Sequence, residues 1–338
     1  MTVLILTCKE DVTADMVVAK LAASGVPVVR LDTADLPGRV TLSGEYLPGV
    51  FLGYLSAGRR VICLSALRSI WVRHPGVPAS RVAKPSEWLA EESSQTLYGM
   101  LQCTDARWMN QPDAAARARR KPWQLQVARR SRLPVPATLI TTFPKAARDF
   151  ADRFPDLVVR SVSGTHPQEP NSVVPTSRAE PDADFAAVAC GPTLLQRRVS
   201  KRADIRLTAV GNQVLAARKV VRPNADPDEI DVRFASSTAP WRPVDVPPSI
   251  EDGVRAYLRR AELSYGAFDF AEDRYGIWWF LECNQSDQFG FVEVETGQPI
   301  AQTVADWLAA PNPRASPTDP MRLWGQAVTE VPSLNWTA

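Results

Sequence analysis

The chain has 338 residues, 45% of them hydrophobic, which is enough for a substantial core and predicts two or three domains. Its 39 Lys and Arg residues nearly balance its 37 Asp and Glu residues, so overall charge gives no reason to expect nucleic-acid or membrane binding. The five cysteines form no close CxxC pair and the two histidines lie far apart, which argues against a zinc site and favours a reducing compartment.

The N-terminal region has the pattern of a β-α-β unit. A buried strand is predicted at residues 3–7, a helix over 11–24 that ends at Gly25, and a second strand at 26–32. The first turn, TCKED, lacks a glycine fingerprint, so a dinucleotide site is not expected. The first apolar run has only about five residues, too few for a signal peptide, and no apolar segment of about 18 residues follows, so we expect a soluble cytoplasmic protein.

The next region is predicted to pass from short strands into helices. Alternating runs between residues 39 and 73 indicate a hairpin-rich sheet, and residues 85–109 have the pattern of a long helix. Asp113 can cap a further helix that extends through Arg120, and Pro122 allows a new helix to start there.

The rest of the chain alternates short strands with helices and one long loop. In chain order, the predicted elements are a Pro-bounded strand at 133–141, a helix at 144–153, strands at 157–162, 193–199, 204–210 and 213–221, and a helix from Ser249. Residues 163–184 are rich in Ser, Pro, Thr and Asp and predict a long mobile loop. The residues from 311 onward, with four prolines in 311–320, predict a surface tail.

Two apolar runs near the C-terminal end carry carboxylates among aromatic residues. Asp269 lies in the first run, while Glu282 and Asn284 lie two residues apart in the second and therefore share one face of a strand. A turn centred on Tyr275-Gly276 would place Asp269 opposite Glu282, with the two Cβ atoms roughly 4.5–5.5 Å apart. The pattern predicts that two carboxylates and an amide oxygen converge.

Two interpretations of this convergence are open. Like charges repel unless a cation lies between them, and hard oxygen ligands without Cys or His suit Mg²⁺, which commonly bridges carboxylates to substrate phosphates. In the simpler interpretation, the acids face solvent on one side of an antiparallel sheet.

Several segments resemble ATP-grasp ligases. FDF…WWFLECNQ resembles their metal-binding end, where an acid on one strand and E-x-N on the next hold magnesium. RWMNQPDAAARARRKPWQLQVARRSRLPVPATLITTFP resembles the entry segment of ATP-grasp peptide maturases, and LLQRRVSKRADIRLTAVGNQVLAA resembles their hinge followed by D-I-R-x-x-x-x-G. DVRF at 231–234 is similar to their D-W-R element, and SIWVRHP to W-x-R-R-P. These segments occur in order between about residues 3 and 308, and resemble most the actinobacterial maturases of ω-ester or ω-amide peptides, the graspetides.

This resemblance implies an α/β (α+β) architecture, the ATP-grasp fold. Residues 1–118 would form an N-terminal β-α-β pre-ATP-grasp domain that contacts peptide. Residues 119–195 would form a small central subdomain, and 196–310 a C-terminal antiparallel-sheet subdomain with the metal site. The surface tail would be 311–338.

The resemblance also implies roles for individual residues. The metal ligands would be Asp269, Glu282 and Asn284. The residues that bind the nucleotide would be Lys121, Arg160, Gln196, Arg197, Arg198 and Asp204. Arg206 and Arg233 would lie near the transferring phosphoryl group as catalytic residues, and Arg73 is a further candidate to hold a substrate carboxylate. This chain departs from the family at Arg160, where a Lys is usual, at Arg197, where a Glu is usual, and at Asp287, where a Gly is usual.

Structural alternatives remain for these residues. Lys121 can be a solvated lysine at a helix start, Arg160 can pair with an acid, Asp204 can be a turn residue, and Arg206 can belong to an exposed sheet face. Lys-to-Arg replacement is not neutral at a phosphate site.

The implied function is that of an ADP-forming carboxylate ligase that uses ATP and Mg²⁺, with two ions expected. It would activate Asp or Glu side chains of a ribosomal precursor peptide, with leader and core, and join them to Ser, Thr or Lys in rings. No nucleic-acid or membrane partner is expected, and a homodimer is one option. Two alternatives remain: a ligase that adds a free amino acid to a peptide or small acid, and a non-catalytic nucleotide-binding protein.

Overall fold

The computed structural model describes residues 1–58, 60–78, 87–163, 174–180, 183–221 and 239–312. The described residues form two compact units, one of Met1–Met109 with the residues from Ala305 onward, and one of Asn110–Val304. The domain boundaries expected after residues 118, 195 and 310 stay predictions. In the part of the chain that is described, no helix has the length and apolar character needed to cross a bilayer.

The first unit combines a parallel and an antiparallel sheet. Its elements are β1 (Thr2–Leu6), α1 (Val12–Ala23), β2 (Val28–Leu31), β3 (Val40–Leu47), β4 (Val50–Ala57), β5 (Arg60–Cys63), β6 (Leu67–Val72), α2 (Glu87–Gln102) and β7 (Arg107–Met109). Strands β2, β1, β6 and β7 form the parallel sheet in that order, and β3, β4 and β5 form the antiparallel one.

The predicted β-α-β opening is confirmed. Strand β1 pairs in parallel with both β2 and β6, and its residues 3–6 are fully buried, as expected of a central strand. Helix α1 starts after Asp11, whose side chain accepts a hydrogen bond from the backbone N–H of Ala14. The chain leaves the helix at Gly25, whose φ of +68° lies in the left-handed region that favours glycine.

Two predictions for the first unit are wrong in part. The hairpin-rich sheet predicted between residues 39 and 73 ends at β5, because Ser69, Ile70 and Trp71 of β6 are all buried within the parallel sheet. The helix predicted over 85–109 ends at Gln102, and the strand β7 follows. A polar bend separates them, in which the hydroxyl of Thr104 donates to the carbonyl of Leu101.

The second unit contains two antiparallel sheets. Its elements are α3 (Pro112–Ala118), α4 (Lys121–Arg130), β8 (Thr138–Thr141), α5 (Pro144–Arg153), β9 (Leu157–Arg160), β10 (Ser177–Arg178), β11 (Thr193–Arg197), β12 (Lys201–Val210), β13 (Gln213–Val220), β14 (Arg242–Val244), α6 (Pro248–Ala261), β15 (Tyr265–Asp273), β16 (Trp278–Asn284), α7 (Gly290–Thr296) and α8 (Ile300–Ala309), whose last residues belong to the first unit. Gln111, rather than the predicted Asp113, caps α3 by accepting from the N–H of Ala114.

The smaller sheet has the strand order β10-β9-β11-β8 and is covered by α5. Phe150 of α5 packs with Leu157 and Leu195 in its core. Most of the loop predicted at 163–184 lies outside the described residues, but within it Ser177–Arg178 forms a short strand with β9. Nearly all of the predicted tail from 311 also lies outside them.

The larger sheet has the strand order β14-β13-β12-β15-β16 and one strongly apolar face. Phe268, Phe270 and Phe280 pack on this face against Tyr257 of α6. Strand alternation turns the residues between these aromatic side chains to the opposite face of the sheet, which therefore carries the polar groups.

The β15–β16 hairpin contains a bulge that decides which residues share a face. Phe270 pairs with Phe280, whereas the next pair is Asp269 with Glu282, so Leu281 is an extra residue in β16. Residues 280 and 282 would lie on the same face of a regular strand. The bulge places Phe280 in the core and Glu282 on the polar face.

The core of the larger sheet is tested by Phe280→Ala. We expect a loss of about 3–5 kcal/mol in unfolding free energy, because the truncation leaves a cavity among fully buried aromatic rings. Urea unfolding followed by circular dichroism measures the change. Tyr275→Ala, at an exposed ring in the turn, is the control and should shift the midpoint little; equal losses for both variants would contradict the assigned core.

Candidate functional site

The candidate site lies on the face of the larger sheet that is turned away from the aromatic core. The strand register places Arg206 of β12 beside Asp269 of β15, and Asp269 beside Glu282 of β16. Asn284 follows on the same face of β16, opposite Ala267. The pairing of Asp269 with Glu282 that the sequence pattern predicts is confirmed, and the metal-binding role of these side chains stays a prediction.

Glu282 joins three separate segments of the chain. Its Oε2 atom accepts a hydrogen bond from Nζ of Lys121, 3.1 Å away at the start of α4, and another from Nη2 of Arg160, 2.9 Å away at the end of β9. All three side chains are largely buried. Because an ion pair away from water is weakly screened, these contacts hold the small sheet, the helix and the hairpin together at this carboxylate.

The buried side chain of Gln124 fixes the backbone between Glu282 and Asn284. Its Oε1 accepts from the N–H of Cys283 at 3.0 Å, and its Nε2 donates to the carbonyl of Cys283 at 2.9 Å. Lys121 and Gln124 are three residues apart on α4, so they lie on one side of the helix. The same side of α4 therefore supplies a cation to the site and orients the strand that carries two of the predicted ligands.

Arg206 is bracketed by two carboxylates. Its Nη1 donates to Oδ1 of Asp269 at 2.8 Å, and its Nη2 donates to Oδ2 of Asp287 at 2.5 Å and to the carbonyl of Gln288 at 3.3 Å. Only 6% of the residue is exposed, and its Nε has no hydrogen-bond partner among the described residues. Burial alone would lower the pKa of Arg206, but the two carboxylates outweigh it and raise this pKa above its ordinary value.

The surroundings of Asp269 raise the pKa of its carboxyl group and so disfavour its charged form. Burial raises the pKa of this carboxyl, the negative charge of Glu282 raises it further, and Arg206 only partly offsets these effects, which leaves a pKa of about 6. A carboxylate that is costly to ionise is a group that gains from a nearby cation. This is the electrostatic condition under which a divalent ion would bind.

The oxygen atoms that the site offers as ligands are of the kind that Mg²⁺ prefers. Among the described residues, no three His, Cys, Asp or Glu side chains gather into a metal-binding group. Asp269 and Glu282 offer carboxylates, and Nδ2 of Asn284 lies 3.5 Å from Oε1 of Glu282, which leaves the amide oxygen as a third donor. Mg²⁺ is usually bound by one or two carboxylates with waters and substrate phosphates, so this small oxygen set is sufficient.

The predicted hinge residues lie beside the site, with their side chains in other contacts. Gln196 donates to the hydroxyl of Thr138 at 2.9 Å. Arg198 donates from Nε to both oxygens of Asp156, at 3.0 and 2.8 Å. Their proposed contacts with the nucleotide would therefore involve the backbone, as the resemblance implies.

Arg197 and Asp204 lie close to the strands of the site. The guanidinium of Arg197 stacks on the ring of Trp279, 4.8 Å from its centroid. Asp204 is nearly buried and accepts from Nζ of Lys201 at 2.7 and 2.9 Å. Sequence reasoning missed both partners, although aromatic Trp279 shares the hairpin with Glu282 and gave a signal that could have been followed.

The predicted substrate-holding role of Arg73 stays a prediction. This arginine is buried in the first unit, where Nε donates to Oδ2 of Asp11 at 2.6 Å and Nη2 donates to Oδ1 at 3.2 Å. Burial would raise the pKa of Asp11, but hydrogen bonds from Arg73 and Thr7 lower it below its ordinary value. The pair holds α1 to the end of β6.

Arg233, which the resemblance implies is catalytic together with Arg206, lies outside the described residues.

Comparison with known proteins identifies the fold. Residues 2–116 match the family described as the MvdD pre-ATP-grasp domain. A RiPP-associated ATP-grasp ligase of Chryseobacterium gregarium, in complex with ADP and a leader and core peptide, superposes with a TM-score of 0.81 at 23% identity, over 92% of this chain and 97% of that one. A search of curated proteins finds no significant match.

Two further solved structures superpose with this chain over most of their length. The macrocyclase MdnC of Microcystis aeruginosa MRC, bound with its precursor peptide MdnA, is 26% identical with a TM-score of 0.77, over 91% of this chain and 99% of that one. The ATP-grasp ligase PsnB, complexed with a phosphomimetic variant of a minimal precursor, Mg and ADP, is 21% identical with a TM-score of 0.71, over 90% and 97%. The predicted ATP-grasp fold and the resemblance to RiPP-associated ligases are confirmed, while the actinobacterial assignment stays a prediction.

The Asp11–Arg73 pair predicts how the stability of the first unit depends on pH. A carboxyl whose folded pKa is lowered adds stability above its unfolded pKa of about 4, and this contribution is lost as pH falls through the folded pKa. Asp11→Asn leaves a buried arginine without its counter-ion, so we expect a loss of about 3–5 kcal/mol near pH 7. Thermal unfolding from pH 7 to pH 3 should show the difference from wild type shrinking as pH falls.

The matched control is Asp149→Asn, which breaks an exposed pair with Lys145 on α5. This change should cost less than about 1 kcal/mol. A wild-type advantage over Asp11→Asn that grows as pH falls would contradict the assigned pair.

Proposed function

We propose that this chain, which has the ATP-grasp fold and a pre-ATP-grasp domain at its N-terminal end, is an ATP-dependent carboxylate ligase of a ribosomal precursor peptide. It would form an acyl phosphate on an Asp or Glu side chain and join it to a Ser or Thr hydroxyl or a Lys amine of the same peptide. The observation that carries the proposal is the facing pair of carboxylates, Asp269 and Glu282, within a ring of three cations, Lys121, Arg160 and Arg206.

The compared structures support the nature of the substrates. Those proteins are described with ADP, with Mg, and with leader, core or precursor peptides, and one is called a macrocyclase. We extend these properties to the present chain as a proposal, because the superposition covers about nine tenths of it. The cytoplasmic location stays a proposal, which the five free cysteines support. A homodimer stays a prediction.

The cations around Glu282 would bind the nucleotide phosphates. Lys121 and Arg160 both donate to one carboxylate oxygen, and an ammonium and a guanidinium are the groups that commonly bind phosphate oxygens in proteins. Asp269, Glu282 and Asn284 would hold Mg²⁺, which when bound would offset the negative charge of the phosphates. With these groups already in position, little reorganisation is needed when the nucleotide enters.

Arg206 would stabilise the phosphoryl group during transfer. A carboxylate oxygen of the peptide attacks the γ-phosphorus, a new O–P bond forms, and the bond to the β-phosphate oxygen breaks to release ADP. Catalysis of this step depends mainly on positioning and positive charge, which a buried guanidinium held between two strands provides. The hydroxyl or amine then attacks the acyl carbon, inorganic phosphate leaves, and the ring closes as an ester or amide.

Incubation of the protein with ATP, Mg²⁺ and a candidate ribosomal precursor peptide that carries leader and core tests the function directly. Each ring should lower the peptide mass by one water, which mass spectrometry detects. We expect Glu282→Gln and Asn284→Ala to reduce the rate at least 100-fold, because each removes an oxygen atom that would face the metal or the phosphates. Glu282→Gln should also lower the melting temperature, because Lys121 and Arg160 lose their counter-ion, whereas Asn284→Ala should change it little. Asp149→Asn is the control.

The outcomes of this experiment distinguish the alternatives. A mass gain would indicate that a separate amino acid is added to the peptide. An unchanged mass without peptide-stimulated ADP release would indicate a non-catalytic nucleotide-binding protein. Wild-type rates for Glu282→Gln would show that the site is misassigned.

Lys121→Ala separately tests the nucleotide end of the site. Loss of one charge-assisted contact should weaken binding of ATP by about tenfold, since hydrogen bonds to charged groups contribute about 1.5–3 kcal/mol. Isothermal titration calorimetry measures the affinity. Lys145→Ala, at an exposed lysine of α5, should bind like wild type, and an unchanged affinity in Lys121→Ala would mean that the entry segment is misplaced.

A further inference from the structure

Asp287 gives Arg206 a second carboxylate partner. Strand β16 ends at Asn284, and Asp287 follows in the connection to α7, where Oδ2 lies 2.5 Å from Nη2 of Arg206. The Asp287 backbone is held as well, because its carbonyl accepts from the hydroxyl of Tyr265 at 3.0 Å. The contact is therefore a supported part of the site rather than a loosely placed surface pair.

The two carboxylates on Arg206 differ in what else they can bind. Asp269 faces Glu282 across the hairpin and belongs to the proposed metal-binding set. The Asp287 side chain is 38% exposed, and its Oδ2 contacts the guanidinium of Arg206. The Asp269 side chain is exposed to a similar extent, 31%, but it is fixed on the paired strand β15, whereas Asp287 lies in a connection between two elements. Asp287 is therefore the carboxylate that can turn from Arg206 toward solvent while the sheet stays intact.

The hydrogen-bond capacity of Arg206 is partly consumed by this contact. A guanidinium has five N–H donors, and both donors on Nη2 are directed to Asp287 and to the carbonyl of Gln288. Nε has no partner among the described residues, so the remaining capacity lies at Nε and at one hydrogen of Nη1. An incoming oxyanion that needs a two-pronged contact with Nη2 must compete with Asp287.

The charge balance around Arg206 also indicates that Asp287 opposes anion binding. Among the described residues of this cluster, Asp269, Glu282 and Asp287 carry three negative charges and Lys121, Arg160 and Arg206 carry three positive ones, so these charges balance. Without Asp287 the cluster would have a net positive charge. Since an anion binds a positive cluster more tightly than a neutral one, Asp287 must lower the affinity of the site for anions.

We infer that Asp287 is a built-in competitor of the terminal phosphoryl group of a bound nucleoside triphosphate. It compensates the buried charge of Arg206 in the empty site and gives up that contact when a phosphoryl oxygen arrives. The inference rests on the proposed function, which places a triphosphate at Arg206. It makes Asp287 a determinant of affinity for the triphosphate relative to the diphosphate.

Asp287→Asn tests the inference because the shape of the side chain is kept and its charge is removed. Calorimetry should show the Mg²⁺ complex of the non-hydrolysable analogue AMPPNP binding about tenfold more tightly than to wild type, with Mg·ADP changed less than twofold. The melting temperature of the nucleotide-free protein should fall, because Arg206 loses a counter-ion. Asp287→Ser provides a second variant and should behave in the same way.

The matched control is Glu251→Gln. Glu251 is also a half-buried acid paired with an arginine, Arg255, but it lies on α6 at the apolar face of the same sheet. Its removal should leave the affinity for both nucleotides unchanged. Tighter AMPPNP binding in this control would mean that net charge, and not the contact with Arg206, determines affinity.

A double variant shows whether Asp287 acts through Arg206. In an Arg206→Gln background, Asp287→Asn should change AMPPNP affinity less than twofold. A persistent tenfold gain, or weaker AMPPNP binding in Asp287→Asn alone, would overturn the inference. Failure of the proposed function looks different, because the wild-type protein itself would then bind neither nucleotide.

Discussion

Two carboxylates that face each other across antiparallel strands repel, and much of the second unit is arranged to offset that repulsion. At an effective dielectric constant of about 20, two unit charges about 5 Å apart repel by roughly 3 kcal/mol, which is a large part of the stability of a typical domain. Lys121 and Arg160 compensate Glu282 from a helix and from the small sheet, and Arg206 compensates Asp269 from the neighbouring strand. In the proposed function, phosphate and metal would bind to these groups by exchange of partners, without assembly of the site beforehand.

The aromatic core and the polar site depend on each other through a single extra residue. Phe268, Phe270 and Phe280 hold the hairpin against α6, and the bulge at Leu281 then turns Glu282 to the other face of the sheet. The packing of these aromatic rings therefore determines the position of Glu282, although Glu282 lies on the other face of the sheet. Because of this division, substitutions on the polar face can leave the aromatic core undisturbed.

The sequence predicts local features of this protein better than its long-range pairs. Alternation and a Tyr-Gly turn correctly predict that Asp269 faces Glu282, because a hairpin is short and its register has few choices. The structure reaches this pairing through the bulge, since a regular continuation of the Phe270–Phe280 pair would place Asp269 opposite Leu281. The bulge could not be predicted, since Leu281 is as apolar as its neighbours. The pairing of Arg73 with Asp11 could not be predicted, because Asp11 lies 62 residues earlier in the chain and nothing in the local pattern connects them. The role of Asp287 likewise appears only when the turn after β16 is folded back onto β12.

Gln124 links the segment that carries Lys121 to the strand that carries Glu282, through the backbone N–H and C=O of one residue, Cys283. Transplanting the hairpin into another scaffold would therefore carry over its oxygen atoms but lose their orientation. A functional graft must include α4 as a second piece, with the spacing between Lys121 and Gln124 preserved. Recombination between distant relatives should tolerate crossovers in the connections outside this pair of elements far better than crossovers that separate the helix from the hairpin.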